Sequence, residues 1–142
     1  MPVKKNLSQS RIGLHFFQDT LHYRIEDIKF WMPTFKKIDL GWLVLKSDTD
    51  RAIPEYFIRT LVQQNITPII EFNLPVNQTV NSKEIRVLLQ VYARWGIRYV
   101  VFHNQPNRKE TWQTTSWAQQ DLVERYLDQY IPLARQALDV GL

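Results

Sequence analysis

The stretch NSKEIRVLLQVYARWGIRYVVFH, residues 81–103, decides the fold of this chain. The apolar residues of its first part share one helix face, at positions i, i+3, i+4 and i+7: Ile85, Leu88, Leu89 and Tyr92. Gly96 suits the position that follows the end of such a helix. Residues 97–103 (IRYVVFH) are almost continuously apolar, as in a buried parallel strand. The stretch therefore predicts a helix over residues 82–95 followed directly by a strand.

Three earlier runs have the character of the same strand. They are residues 11–17 (RIGLHFF), 40–46 (LGWLVLK) and 66–72 (ITPIIEF). The runs begin about 30 residues apart, which is the length of one strand and its crossover helix. Because each run is nearly all apolar, we expect parallel strands that are covered on both faces. The chain is predicted to be α/β, with four strands alternating with helices as a parallel (βα)4 unit.

Prolines and one capping motif mark the helix ends. Asn81 and Glu84 have the spacing of a capping box. Pro54 suits the first position of the second helix. Pro33 and Pro132 fall inside helical patterns, where a missing N–H and a ring clash should kink or restart the helix.

The length indicates a single domain that is too short for a closed barrel. Domains average roughly 100 to 200 residues, and the chain has 142. A closed (β/α)8 barrel needs about 250 residues. We predict a polar tail over residues 1–10 and a half-barrel domain over residues 11–142.

Charge and composition exclude several classes of protein. Eighteen Lys and Arg against fourteen Asp and Glu are scattered along the chain, so we expect no nucleic-acid partner. Without Cys, disulfides, Cys-type zinc sites and thiol nucleophiles are excluded. There is no apolar run of membrane-spanning length and no signal-peptide pattern, so the expectation is a soluble, cytoplasmic chain with no membrane partner. Secretion stays open as an alternative.

Polar residues follow the predicted strands, where parallel β/α folds bind ligands. The selected site residues are His15, Asp48, Glu71, Asn73, His103, Asn104, Gln105 and Trp112. A wider set at the same strand ends includes Gln18, Asp19, Lys46, Ser47, Asp50, Asn107 and Trp117. Amides, imidazoles and carboxylates with aromatic rings at the rim are typical of carbohydrate sites. The alternative is that strand ends are polar in any α/β protein.

Other motifs give little support for cofactors or metals. No glycine-rich phosphate loop follows a strand. The three histidines, His15, His22 and His103, lack metal-binding spacing. No G-x-S-x-G sequence is present. We expect no cofactor and no metal.

The segment YVVFHNQPN, residues 99–107, resembles the end of strand four in the (β/α)8 glycoside hydrolase superfamily. The resemblance is to the clan where that strand ends in Asn-Glu-Pro. The opening RIGLHF, residues 11–16, also resembles a first strand of such barrels. The resemblance implies that Asn104 contacts the sugar 2-hydroxyl. It also puts Gln105 at the position of the acid/base Glu, just before Pro106.

The resemblance implies a chain that is inactive by itself. An amide has no proton to exchange near neutral pH, so Gln105 cannot replace the acid/base Glu. The family's nucleophile lies at the end of strand seven, and this chain has four predicted strands. Glu71 is a weak substitute, and a structural hydrogen-bonding role suits it better.

Three hypotheses follow. The first is a glycoside-hydrolase-like half-barrel with a carbohydrate-binding cleft, a pseudoenzyme that associates with a missing C-terminal half or with a second copy. The second is a non-catalytic glycan- or protein-binding scaffold module. The third is a small doubly wound α/β domain with an unknown ligand.

Overall fold

The computed structural model describes residues 10–76, 78–112 and 121–142. Its elements are β1 (Gly13–His15), α1 (Ile25–Lys37), β2 (Trp42–Ser47), α2 (Glu55–Gln63), β3 (Thr67–Phe72), α3 (Ser82–Trp95), β4 (Tyr99–Val101), a short 3-10 helix (Lys109–Thr111) and α4 (Leu122–Asp139). Most of the predicted polar tail (residues 1–9) and Trp117 lie outside the described residues. Among the described helices, none is long and apolar enough to cross a membrane.

The four strands form one parallel sheet in the order β1-β2-β3-β4. Each strand therefore pairs with the strand that follows it in the chain, and a helix lies between each pair. The predicted α/β architecture, a parallel (βα)4 half of a TIM-type barrel, is confirmed. A doubly wound sheet reverses its strand order at a switch point. This sheet has no reversal among its described strands, so the arrangement differs from that of the third hypothesis.

The helix ends follow local chemistry, with one departure from expectation at Pro54. Asn81 caps α3 as predicted, because its side-chain oxygen accepts hydrogen bonds from the backbone N–H groups of Lys83 (3.0 Å) and Glu84 (3.4 Å). Gly96 ends α3 in the left-handed conformation. Pro54 lies one position before α2 rather than inside it.

Of the two alternatives predicted for Pro33 and Pro132, a kink or a restart of the helix, the restart was wrong. Pro33 lies within α1 and Pro132 within α4, and both helices continue through them. Both prolines are exposed. A proline on the solvent side removes one hydrogen bond, and the packing of the buried side can carry the helix past that loss.

The two faces of the sheet differ in burial. Along β2, Leu43 and Leu45 are fully buried, while Trp42, Val44 and Lys46 are half-buried. Alternate strand residues point to opposite faces, so burial along β2 follows one face. We call the two sides the helix face (Leu43, Leu45, Ser47, Pro68, Ile70 and Phe72) and the open face (Trp42, Val44, Lys46, Thr67, Ile69 and Glu71). The prediction that the strands are covered on both faces was wrong for these residues, because a half-barrel leaves the inner face without a layer.

The core lies between the helix face and the helices. Phe57, Ile58 and Leu61 of α2 are fully buried there, as is Leu89 of α3. Rings from the loop after β1 extend the core, with Phe16 against Tyr23, Phe35 and Phe57. This layer holds the strands in place, so the loops at their C-terminal ends start from fixed positions.

Candidate functional site

A buried ion pair lies on the open face near the C-terminal ends of the central strands. Lys46 of β2 and Glu71 of β3 are register partners, and the Lys46 ammonium donates a hydrogen bond to Glu71 Oε1. Only 5% of the Glu71 side chain and 16% of the Lys46 side chain is exposed. A charge withdrawn from water in this way needs its partner, because an unpaired buried charge is strongly unfavourable.

His15 adds a third polar group to this pair. It ends β1, and its Nδ1 lies 4.0 Å from Glu71 Oε2. Unlike Glu71, the His15 side chain is 60% exposed. The imidazole can therefore contact a ligand directly, while the carboxylate behind it fixes the local charge. We call His15, Lys46 and Glu71 the open-face cluster.

The cluster can bind polar groups but holds one carboxylate only. Glu71 is the sole acidic residue in the four described strands. Glycoside hydrolysis needs two carboxyl groups, one of which donates a proton. Glu71, the one strand carboxylate, already accepts a hydrogen bond from the Lys46 ammonium. The cluster is therefore suited to recognition by hydrogen bonds and charge.

Asp48 lies at the same sheet edge, where its side chain makes one contact across loops and its neighbours are bonded to the core. Its Oδ2 accepts a hydrogen bond from Thr20 Oγ1 (3.1 Å), which ties the loop after β2 to the loop after β1. The buried Ser47 Oγ lies 2.7 Å from the Tyr92 hydroxyl. The backbone N–H of Ile53 also donates to that hydroxyl (2.9 Å). Ser47 and Ile53 flank the loop after β2, and both bond to Tyr92 in the core. The position of Asp48 in that loop is therefore fixed by the core.

The loop after β1 carries its own charged contact. Asp19 Oδ1 accepts from the backbone N–H of Leu21 (2.9 Å) and lies 2.7 Å from His22 Nδ1. These hydrogen bonds, from Leu21 first and His22 second, hold the pKa of Asp19 below its usual value. Phe17 stacks on the His22 ring at 3.7 Å. The loop is thus ordered by contacts that do not involve the open-face cluster.

Asn104 and Gln105 lie in a tight loop after β4 and are exposed. Gln105 has a φ of 50°, and its side-chain oxygen accepts from Arg108 (2.8 Å). Thr111 Oγ1 donates to the backbone carbonyls of Asn104 (3.1 Å) and Gln105 (2.8 Å). The loop backbone is therefore fixed, and the amide of Gln105 is presented on the surface.

No protein-family model, curated protein or solved structure matches this chain. The resemblance of residues 99–107 to a glycoside hydrolase strand stays a sequence-based expectation.

His103 is buried at the end of β4 and only half satisfied. Its Nδ1 lies 3.2 Å from the Leu74 carbonyl, so that nitrogen carries the proton. Its Nε2 is buried without a hydrogen-bond partner. Burial lowers the pKa of His103, and the bond to Leu74 opposes that shift. The ring packs edge-on against Tyr126 of α4 at 5.7 Å, so His103 joins the strand end to the last helix.

Trp112 packs inside its loop instead of standing at a rim. It is 4% exposed, its Nε1 donates to the Pro106 carbonyl (2.8 Å), and the Arg125 guanidinium lies 5.4 Å from its ring centroid. A ring covered in this way offers no free face for stacking a ligand. In this structure Trp112 anchors the loop that presents Asn104 and Gln105.

The structure brings only part of the predicted set into contact. His15 and Glu71 meet in the open-face cluster, and Asn104 and Gln105 share a loop. Asn73 is exposed at the end of β3, where its backbone N–H donates to the Ser47 carbonyl (2.9 Å). All these positions follow C-terminal strand ends of one parallel sheet, so they share one edge.

Lys46 is the residue that the selected set missed. The signal for it was present, because alternation along LGWLVLK puts Lys46 on the face opposite Leu43 and Leu45. What the sequence lacks is the register that places Lys46 beside Glu71. Within the described residues, no group of three or more His, Cys, Asp or Glu side chains is placed to hold a metal ion.

Proposed function

We propose that this chain is a glycoside-hydrolase-like half-barrel that binds carbohydrate at the C-terminal strand ends and does not hydrolyse it by itself. The observation that carries the proposal is the open-face cluster. A buried, ion-paired carboxylate with an exposed imidazole beside it offers fixed hydrogen-bonding groups at the edge where parallel β/α folds bind ligands.

Exposed amides at the same edge support a sugar ligand. Asn73 and Asn104 are exposed, and Gln105 is held by Arg108 and by a fixed backbone. Amides both donate and accept, which matches the paired roles of a sugar hydroxyl. The residue types favour a neutral polyhydroxyl ligand over a flat apolar one.

The lack of hydrolysis follows from Gln105 and Glu71. An amide stands where the resemblance implies a proton donor, and the strand carboxylate is paired with Lys46. The pair of carboxyl groups that the reaction needs is therefore missing from the described strands.

Calorimetric titration with neutral oligosaccharides of different linkages tests binding. We expect at least one to bind the wild-type chain, and His15→Ala and Gln105→Ala each to weaken it about tenfold, the effect of one lost hydrogen bond. Gln129→Ala is the matched control, because Gln129 is exposed on α4 and lies outside the strand-end loops. Binding that is absent, or equal in all variants, would overturn the proposal.

A second assay tests the absence of catalysis. Aryl glycosides should give no turnover with the wild-type chain or with Gln105→Glu. Turnover that disappears in Glu71→Gln would contradict a purely binding role.

A second proposal concerns association, and the open sheet edges favour it. β1 and β4 are the edge strands of the described sheet, and Leu14, Tyr99 and Val101 on them are exposed. Unpaired parallel edges are templates for further strands. Next to the buried face of α4 is an exposed apolar stripe of Val123, Leu127, Ile131 and Leu138.

We infer that a second copy covers these edges, with β4 of each copy beside β1 of the other to complete eight strands. Two such contacts related by a two-fold axis leave no open edge. Light scattering should give a dimer, and Ile131→Glu should weaken it, while Gln129→Glu, two residues away and on another side of α4, should not. A monomer at tens of micromolar, or association only with a different polypeptide, would contradict this inference.

A further inference from the structure

A cleft opens between α3 and the end of α4, at the opposite end of the strands from the candidate site. α3 ends at Trp95 and leads into the start of β4, so this region lies at the N-terminal ends of the strands. The cleft has a volume of about 910 Å³. Its polar lining is Arg86, Gln90, Arg94, Arg98 and Asp139.

Helical spacing explains how three arginines reach one cleft. Arg86, Gln90 and Arg94 follow each other at intervals of four, so they form one row along α3. After α3 the chain turns at Gly96, which has the left-handed conformation. Arg98 then lines the same cleft as Arg94, at the C-terminal end of the row. Charges that look scattered in the sequence are thus collected by the fold.

Only one of the three guanidinium groups faces a carboxylate. Arg86 lies 3.6 Å from Asp139 of α4. Arg98 donates to the backbone carbonyl of Ile97 (3.1 Å), which uses one of its five donors. No ion pair or side-chain hydrogen bond joins Arg94 to another described residue. Three cations against one carboxylate leave two positive charges in the cleft.

We propose that this cleft is a binding site for a small phosphate-bearing dianion, held chiefly by Arg94 and Arg98. Guanidinium groups bind phosphate oxygens in pairs through parallel N–H donors. A dianion neutralises the two uncompensated charges, and Gln90 lies in the same row to donate a further hydrogen bond. This site is separate from the open-face cluster and does not depend on the proposed carbohydrate function.

Titration of the full chain with inorganic pyrophosphate, followed by calorimetry at low and physiological salt, tests the site. We expect saturable binding that weakens at higher salt, because exposed charges are screened. Arg94→Gln and Arg98→Gln should each weaken binding about tenfold or more. Arg59→Gln is the matched control, because it removes the same charge from an exposed position on α2.

A charge-conserving variant distinguishes specific hydrogen bonding by Arg94 from nonspecific attraction to the positive charge of the cleft. Arg94→Lys keeps the charge and loses the planar pair of donors, so it should also weaken pyrophosphate binding severalfold. Equal binding by the wild type, Arg94→Lys and Arg59→Gln, or no saturable binding at millimolar pyrophosphate, would overturn the proposal. Oligosaccharide binding should be unchanged in Arg94→Gln, which keeps this test independent of the candidate site.

Discussion

The helix face and the open face of the same sheet are built from neighbouring residues but differ in burial and in the chemistry of their side chains. Ile70 is fully buried under the helices, and Ile69, the next residue of β3, is half-buried on the open face. The helix face is almost wholly apolar, whereas the open face carries the Lys46–Glu71 ion pair. The comparison shows that apolar packing and charged groups are separated here by the two-residue period of a strand.

The separation has a physical origin. Apolar side chains gain free energy by leaving water, and they do so where helices cover them. Charged groups are tolerated on the face that has no helix layer, because they keep access to solvent or to each other. A truncation on the helix face should therefore cost more stability than the same truncation on the open face.

The largest effect should come from Ile70→Ala set against Ile69→Ala. Truncating the fully buried Ile70 removes its burial and leaves a cavity, so we expect a loss of about 3 kcal/mol in the free energy of unfolding. Truncating the half-buried Ile69 should cost about 1 kcal/mol. Urea unfolding measures both. Equal costs would mean that the open face is covered as tightly as the helix face.

The second-largest loss in the free energy of unfolding should come from breaking the Lys46–Glu71 ion pair. Lys46→Met leaves Glu71 buried without its partner and should cost about 2 kcal/mol in the free energy of unfolding. The double variant Lys46→Met/Glu71→Gln should recover part of that loss, because no unpaired charge is left. A double-mutant cycle by urea unfolding checks this. Strictly additive losses would show that the two side chains do not interact in solution.

A smaller effect should arise in the helix layer at the cap of α3. Asn81→Ala removes the acceptor for two backbone N–H groups and should cost about 1 kcal/mol. The control is Gln78→Ala, a nearby exposed position outside the helix. Thermal unfolding measures both variants, and a cap that made no contribution would leave their midpoints equal.

The smallest effect should be a pH dependence from His103. Burial lowers its pKa below the ordinary value of 6.5, so the unfolded chain binds a proton more readily than the folded one. The free energy of unfolding should be highest above pH 6.5 and should fall as the pH drops through that value. His103→Gln should flatten this slope in urea unfolding measured between pH 5 and 7.5. An unchanged slope would mean that His103 does not titrate differently on folding.

The sequence predicts the architecture well because periodicity is local. The apolar row in residues 82–95 and the capping signals at Asn81 and Gly96 define α3 with the bounds that the structure has. The strands are less exact: β1 and β4 span three residues each, although longer apolar runs predicted them. Edge strands have a pairing partner on one side only, and apolar composition does not report that.

The candidate site could be predicted only in part, because it depends on register and packing. The strand-end rule correctly placed His15 and Glu71 at one edge, but the Lys46–Glu71 contact needs the β2–β3 register. The expected exposure of Trp112 also depended on loop packing, and the structure buries the ring beneath Arg125. Residue type indicates what a side chain can bind, and only the fold decides what it faces.

We propose that the C-terminal strand ends bind carbohydrate. The most direct test is a map of backbone amide chemical shifts during titration of the labelled chain with the oligosaccharide that binds best. We expect saturable shifts concentrated at residues 15, 46–48, 71–73 and 103–105, with the amides of α2 unchanged. Shifts confined to the helix layer, or no shifts with any oligosaccharide, would contradict it.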